Sequence, residues 1–266
     1  MATTSIKTND KLDLPDNFSN FCFMPKFKQN IETLASLAET EDWSYNKGIS
    51  SSPFPILENF IKYTYKRIAQ EKKIAYALRD ESCCFDTGLV TENQEPIYMV
   101  FVKNNLPNSE QYWHFHSFVR KGEFTLTKFS HLPEMAHYFD DTTKLLYDPR
   151  KSLTTNIEHI IEDNKDRFPA PFDTMPNFQL QNFIKGAIDS ATERVRRNYK
   201  IAVPQYHQNK IQLLLPLCLI APNQADLALV VEDYGEFYRA FTCLTLDMAI
   251  NNARQIAKPD RDWLKP

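Results

Sequence analysis

The sequence predicts an α+β fold, a mainly antiparallel or mixed sheet of about seven strands packed with about six helices. Three observations point there. Apolar residues recur at three- and four-residue spacing in some segments and at period two, or continuously, in others. The strand-like runs are grouped rather than alternating with helices, which disfavours a doubly wound parallel sheet. With 266 residues, 42% of them hydrophobic, the chain can bury a full core without disulfides or metals.

Residues 1–24 are polar and punctuated by Pro15, Asn17 and Asn20, and read as a flexible N-terminal arm; 25–266 read as a single globular domain. Lys28 to Thr40 places Ile31, Leu34, Leu37 and Ala38 on one helical face. After Pro53 and Pro55, the residues Ile56, Leu57, Phe60, Ile61, Thr64, Ile68 and Ala69 extend a second helix to about Ala77. Cys83–Thr91 and Pro96–Lys103 then read as a hairpin around Glu92-Asn93-Gln94-Glu95. Gln111–Arg120 and Glu123–Phe129 read as another around Lys121-Gly122. A short helix is expected at Leu132–Ala136, where Pro133 suits a first turn.

Thr155–Arg167 carries Ile157, Ile160 and Ile161 on one stripe and stops before Pro169. Gln179–Lys200 is a long basic helix with Phe183, Ile184, Ala187, Ile188, Ala191 and Val195 inward, followed by an aromatic loop to Tyr206. Strands follow at Ile211–Leu219, Asp226–Glu232 and Tyr238–Leu244. A last helix runs from Leu246 to about Ala257, with Thr245 as N-cap and Asp247 complementing the helix dipole.

Composition narrows the function classes. There are only five glycines, with no GxGxxG and no GxxxxGK[ST], so the usual glycine-rich phosphate loops are excluded and no cofactor is expected. The formal charge of −3 means that any nucleic-acid binding must use a local patch. No apolar run is long enough for a membrane helix, and the first residues lack the apolar core of a signal peptide. Cys22, Cys83, Cys84, Cys218 and Cys243 are odd in number and form no CxxC, which suits reduced thiols in the cytoplasm.

The strongest local signal is cationic. Residues 183–210 hold six lysines and arginines against Asp189 and Glu193, a local net of +4. Arg194, Arg197 and Lys200 with Tyr199 and Tyr206 combine guanidinium forks for phosphate with rings for base stacking. The alternative is a solvated face whose charge is absorbed by pairing among Lys185, Asp189, Glu193, Arg196 and Lys200. Asp247, Asn251 and Arg254 line one face of the last helix and suit either a structural hydrogen-bond network or a ligand cleft. Asp86, Thr87 and Gly88 mark a bulge or a close backbone approach in the first hairpin.

His114 and His116 stand two apart on a strand, the spacing for a metal or phosphate clamp, although no third ligand is evident and no metal is expected. His159 and Asp247 are the candidate catalytic acid or base groups.

Five phrases in combination carry a family resemblance. They are Cys84-Phe85-Asp86-Thr87-Gly88-Leu89; His159-Ile160 with Asn164 and Arg167-Phe168-Pro169; Arg197-Asn198-Tyr199-Lys200 with Val203-Pro204-Gln205-Tyr206; Leu246-Asp247-Met248-Ala249 with Asn252-Ala253-Arg254; and Asp262-Trp263-Leu264. Over about residues 35–265 the chain resembles an uncharacterised bacterial domain family found beside OST-HTH (LOTUS) RNA-binding domains. That company implies work on or around RNA, by association. The family pattern has asparagine where this chain has Asp86, and tyrosine where it has Ile250. If the asparagine contacts a phosphate, Asp86 would repel it.

The expected function is therefore an RNA- or nucleotide-phosphate-binding domain in an RNA-associated, regulatory or defence context. The alternatives are a phosphodiester- or phosphoryl-processing enzyme and a protein-interaction domain with a protein partner.

Overall fold

The computed structural model describes residues 14–45, 50–107, 109–259 and 263–264. They fall into two compact units, one within Met1–Glu41 and Ile61–Ala136, the other within Asp42–Phe60 and His137–Pro266. Each unit carries one five-stranded mixed sheet, so the fold is α+β with ten strands and six α-helices among the described residues.

In the first unit the strands are β1 (Cys22–Phe23), β2 (Ala75–Tyr76), β3 (Ser82–Val90), β4 (Pro96–Lys103) and β5 (Trp113–Arg120), in the order β1-β5-β4-β3-β2. Only β1–β5 is parallel. The helices are α1 (Phe18–Phe21), α2 (Phe27–Leu37) and α3 (Pro55–Glu71), of which residues to Phe60 belong with the second unit. Phe85 and Phe101 stack at 5.6 Å, and Phe21 meets Phe101 edge-on at 5.2 Å. Cys84, Tyr98, Val100 and Val119 form a second cluster with Leu126 and Phe129.

Three sequence expectations change in this unit. Of the expected arm, residues 1–13 lie outside the described residues. Phe18–Phe21, by contrast, form a helical turn capped by Asn17, and Phe18, Phe21 and Cys22 are buried. Two aromatic rings in a polar stretch bury enough apolar area to order it. Glu123–Phe129 is not a strand. The Glu123 carboxylate accepts from the Arg120 backbone N–H, and successive i→i+3 bonds Leu126→Glu123 and Phe129→Leu126 wind Phe124–Lys128 into a 3-10 helix. Leu126 and Phe129, three apart, are thereby buried while Phe124 is left exposed. Leu132–Ala136 forms no helix, five residues being too few to nucleate one alone; the Met135 carbonyl accepts from Lys73 Nζ at 3.1 Å.

In the second unit, β6 (Ser152–Thr155), β7 (Val203–His207), β8 (Lys210–Leu217), β9 (Leu227–Asp233) and β10 (Phe237–Leu244) lie in the order β6-β10-β9-β8-β7. Only β6–β10 is parallel. The helices are α4 (Ile157–Asn164), α5 (Asn177–Arg197) and α6 (Leu246–Arg254). Leu180, Ile184, Ala187, Ile188, Ala191 and Val195 of α5 share a core with Leu213, Leu215, Leu229 and Val231. Phe183, expected inward, is 50% exposed and meets only the edge of Phe172 among the described rings. The expected aromatic loop after α5 is strand β7, pairing with β8 from Val203↔Leu214 to His207↔Lys210.

The seven-strand expectation thus undercounts. It misses β1, β2, β6 and β7, which are two to five residues long and are defined by their pairing partners, not by a pattern of their own.

Candidate functional site

Helix α5 delivers the cationic cluster to the surface of the second unit. Val195 is buried, and past the helix end at Arg197 the chain is buried again at Ala202 and Val203. The intervening chain is fixed by Asn198. Its N–H donates to the Arg194 carbonyl at 2.9 Å, and its Oδ1 accepts from the Lys200 N–H at 3.1 Å. Trp263 Nε1 donates to the Ile201 carbonyl at 2.8 Å. The segment is anchored at both ends while Arg196, Arg197, Tyr199 and Lys200 are exposed.

One carboxylate answers these cations. Glu193 accepts from Arg196 at 2.9 Å and from Arg197 at 2.8 Å. The Arg196 hydrogen bond, followed by the charge of Arg197, holds the Glu193 carboxyl below the usual range. Exposed ion pairs of this kind contribute little to stability. Arg194 is half-buried and reaches Cys218 Sγ at 3.6 Å instead of lying beside Arg197. The negative end of the α5 dipole favours cations in this last turn. Four cations against one carboxylate leave the helix end electropositive.

The remaining candidates lie on other elements. Tyr206 is buried, with its ring edge-on to Tyr138 at 4.8 Å and its hydroxyl on Asn209 Oδ1 at 3.2 Å, so it is not presented for stacking as Tyr199 is. On α6, the Thr245 side chain caps the Met248 N–H as expected. Asp247 is half-buried, and burial raises its carboxyl. Asn251 Nδ2 donates to the Tyr45 hydroxyl at 2.8 Å, and the Arg254 guanidinium lies over the Trp43 and Phe60 rings at 4.9 and 4.5 Å.

Sequence reasoning missed the polar ladder beneath α6. Asn252 donates to Gln205, Gln205 to Gln212 and Gln212 to Glu232, at 3.1, 2.9 and 3.3 Å. Glu232 in turn pairs with Lys210. Two glutamines on otherwise apolar strands were the available signal. The ladder satisfies buried amides and so docks α6 on β7.

Asp86, Thr87 and Gly88 belong to the first unit. Asp86 is buried and accepts the Gly88 N–H at 2.8 Å, and the Thr87 hydroxyl donates to the Ile97 carbonyl at 2.7 Å. The β3–β4 register breaks there, so the bulge reading holds. His114 is half-buried with Nδ1 2.7 Å from the Phe115 carbonyl, whereas His116 is exposed. The β4–β5 register also shifts at this point, with Phe101 opposite Phe115 and Val100 opposite Ser117. That leaves His116 as the extra residue of a bulge and breaks the regular i,i+2 face. Among the described residues no group of three or more His, Cys, Asp or Glu side chains could hold a metal ion. His159 forms an exposed pair with Asp163 at 3.3 Å. All five cysteines are unpaired, and burial pushes their thiols up, so none resembles an activated nucleophile. No described helix is long and apolar enough to cross a membrane.

Residues 34–263 match the family model described as Domain of unknown function (DUF3825). The chain belongs to this family. The DUF3825 match begins within α2 and ends at Trp263, so it takes in every described strand but β1, together with the Asp86 bulge and the α5 and α6 candidates. No curated protein and no solved structure matches the chain.

Proposed function

We propose that this DUF3825 domain binds single-stranded RNA through the exposed end of α5. One observation carries the reading: Arg196, Arg197, Lys200 and the ring of Tyr199, itself 58% exposed, project from a segment pinned at Val195 and Ala202, with Glu193 as their local counter-charge. Cations that track a phosphate backbone beside an exposed ring are the ingredients of sequence-tolerant single-strand binding. The resemblance to domains found beside OST-HTH modules supports RNA as the polymer. Unpaired thiols suit a reducing, cytoplasmic setting.

The test is fluorescence anisotropy of a labelled single-stranded RNA. Three phosphate contacts correspond to a slope of about −2 in log K against log salt. Arg197→Ala/Lys200→Ala should lower affinity at least tenfold and flatten that slope. Tyr199→Ala should cost about 1–3 kcal/mol, the usual worth of one stacked base. Unchanged affinity in both folded variants would sink the proposal.

A further inference from the structure

We propose that Trp43, Tyr45, Asn251 and Arg254 form a nucleobase-recognition site in the second unit, on elements other than the end of α5. The cluster is built from an extended segment and one face of α6. Asn251 and Arg254 are three apart on α6, and Trp43 and Tyr45 two apart on the segment they meet. Asn251 Nδ2 donates to the Tyr45 hydroxyl, and Arg254 lies over the Trp43 ring, so four side chains close on one another.

Two buried polar atoms in this cluster have no hydrogen-bond partner among the described residues: Asn251 Oδ1, an acceptor, and Trp43 Nε1, a donor. Asn251 and Trp43 are 9% and 2% exposed as residues. An unpartnered buried polar atom is costly, and this cluster carries two. Turning the Asn251 amide over would move the orphan to its amino end, not remove it. The Tyr45 hydroxyl takes both the Asn251 and Asn59 amides, at 2.8 and 3.0 Å, so its own proton is left to donate elsewhere.

A ligand that satisfies both offers a donor to Asn251 and an acceptor to Trp43. A nucleobase edge has that pattern, and asparagine is its usual reader. The planar guanidinium of Arg254 lies over the Trp43 and Phe60 rings and holds this aromatic wall in place. The same chemistry is supplied by a free nucleotide or by one residue of an RNA chain, and the probes separate them.

The experiment is isothermal titration of the full chain with AMP, with inorganic phosphate and with a short oligo(A). Trp43→Phe keeps an aromatic ring under Arg254 and removes the orphan N–H together with the second ring of the indole, so the space left behind lowers the melting temperature. The expected result is saturable AMP binding that falls about tenfold in Trp43→Phe while circular dichroism shows the variant still folded. Binding of phosphate alone should be much weaker. Oligo(A) that competes with AMP for Trp43-dependent binding identifies an RNA residue as the source; oligo(A) that does not compete identifies free nucleotide. In Arg197→Ala/Lys200→Ala, AMP affinity should persist, so failure at the α5 end and failure here read separately. Absence of AMP binding to the unmodified chain, or AMP binding that Trp43→Phe leaves unchanged, would overturn the inference and leave the orphans to ordered water.

Discussion

The Asp86 carboxylate accepts the Gly88 backbone N–H at 2.8 Å inside strand β3, where the register to β4 breaks between Asp86 and Val90. Burial pushes the Asp86 carboxyl up to about 6, and the Gly88 bond offsets only part of that rise. A raised carboxyl binds protons more tightly folded than unfolded. Its contribution is therefore most favourable below the unfolded value near 3.8 and is lost as pH rises through about 6.

Asp86→Asn keeps an acceptor for Gly88 and removes the buried charge. It should stabilise the fold at pH 7 by up to roughly 2–3 kcal/mol. The difference from the unmodified chain should shrink as pH falls from about 6 towards 4. Chemical denaturation across that range checks it; a gap independent of pH would contradict the assignment.

Gly88 has φ +73°, the left-handed region. Gly88→Ala should cost about 1–2 kcal/mol, because a Cβ meets the following carbonyl there. A melting temperature equal to the parent's would show that the bulge relaxes at no cost.

Asn164 is 1% exposed and joins α4 to β10. Its Nδ2 donates to the Ile160 carbonyl, and its Oδ1 accepts from Thr242 at 2.9 Å and from Arg167, which also donates to the Cys243 carbonyl. Asn164→Ala leaves the Arg167 and Thr242 donors short of a partner inside the fold. A loss of about 2–4 kcal/mol is expected in urea denaturation.

Glu193 is the counter-charge of Arg196 and Arg197. Glu193→Gln should tighten RNA binding several-fold at low salt and steepen the salt slope, with the melting temperature little changed. Weaker binding in this variant would mean that Glu193 orients the arginines for RNA instead of competing with it.

The long elements were legible because they carry their own period. In α5, Ile184, Ala187, Ile188, Ala191 and Val195 repeat at three and four residues and all five are buried, with Phe183 alone of the expected inward residues left exposed. The β3–β4 hairpin was legible for the same reason, its two strands separated by turn-forming polar residues. Glu123–Phe129 was misread because Phe124 and Leu126, two apart, mimic the alternation of a strand, whereas the buried pair is Leu126 and Phe129, three apart. A carboxylate cap on Arg120 settles the question, and no periodicity reports it.

For the candidate sites, sequence alone determined which chemistry was present: a cationic cluster before β7, a polar stripe on α6 and a glycine bulge in β3. Composition and helical spacing are local properties, so they survive in one dimension. Tertiary structure alone decided which groups were exposed or satisfied. Tyr199 faces solvent while Tyr206 packs on Tyr138, although both are tyrosines seven residues apart. Arg254 lies on Trp43, more than two hundred residues away in sequence, and Gln205, Gln212 and Glu232 become a ladder only once β7, β8 and β9 pair. Burial and hydrogen-bond satisfaction depend on neighbours distant in sequence, and the pairing of the strands supplies those neighbours.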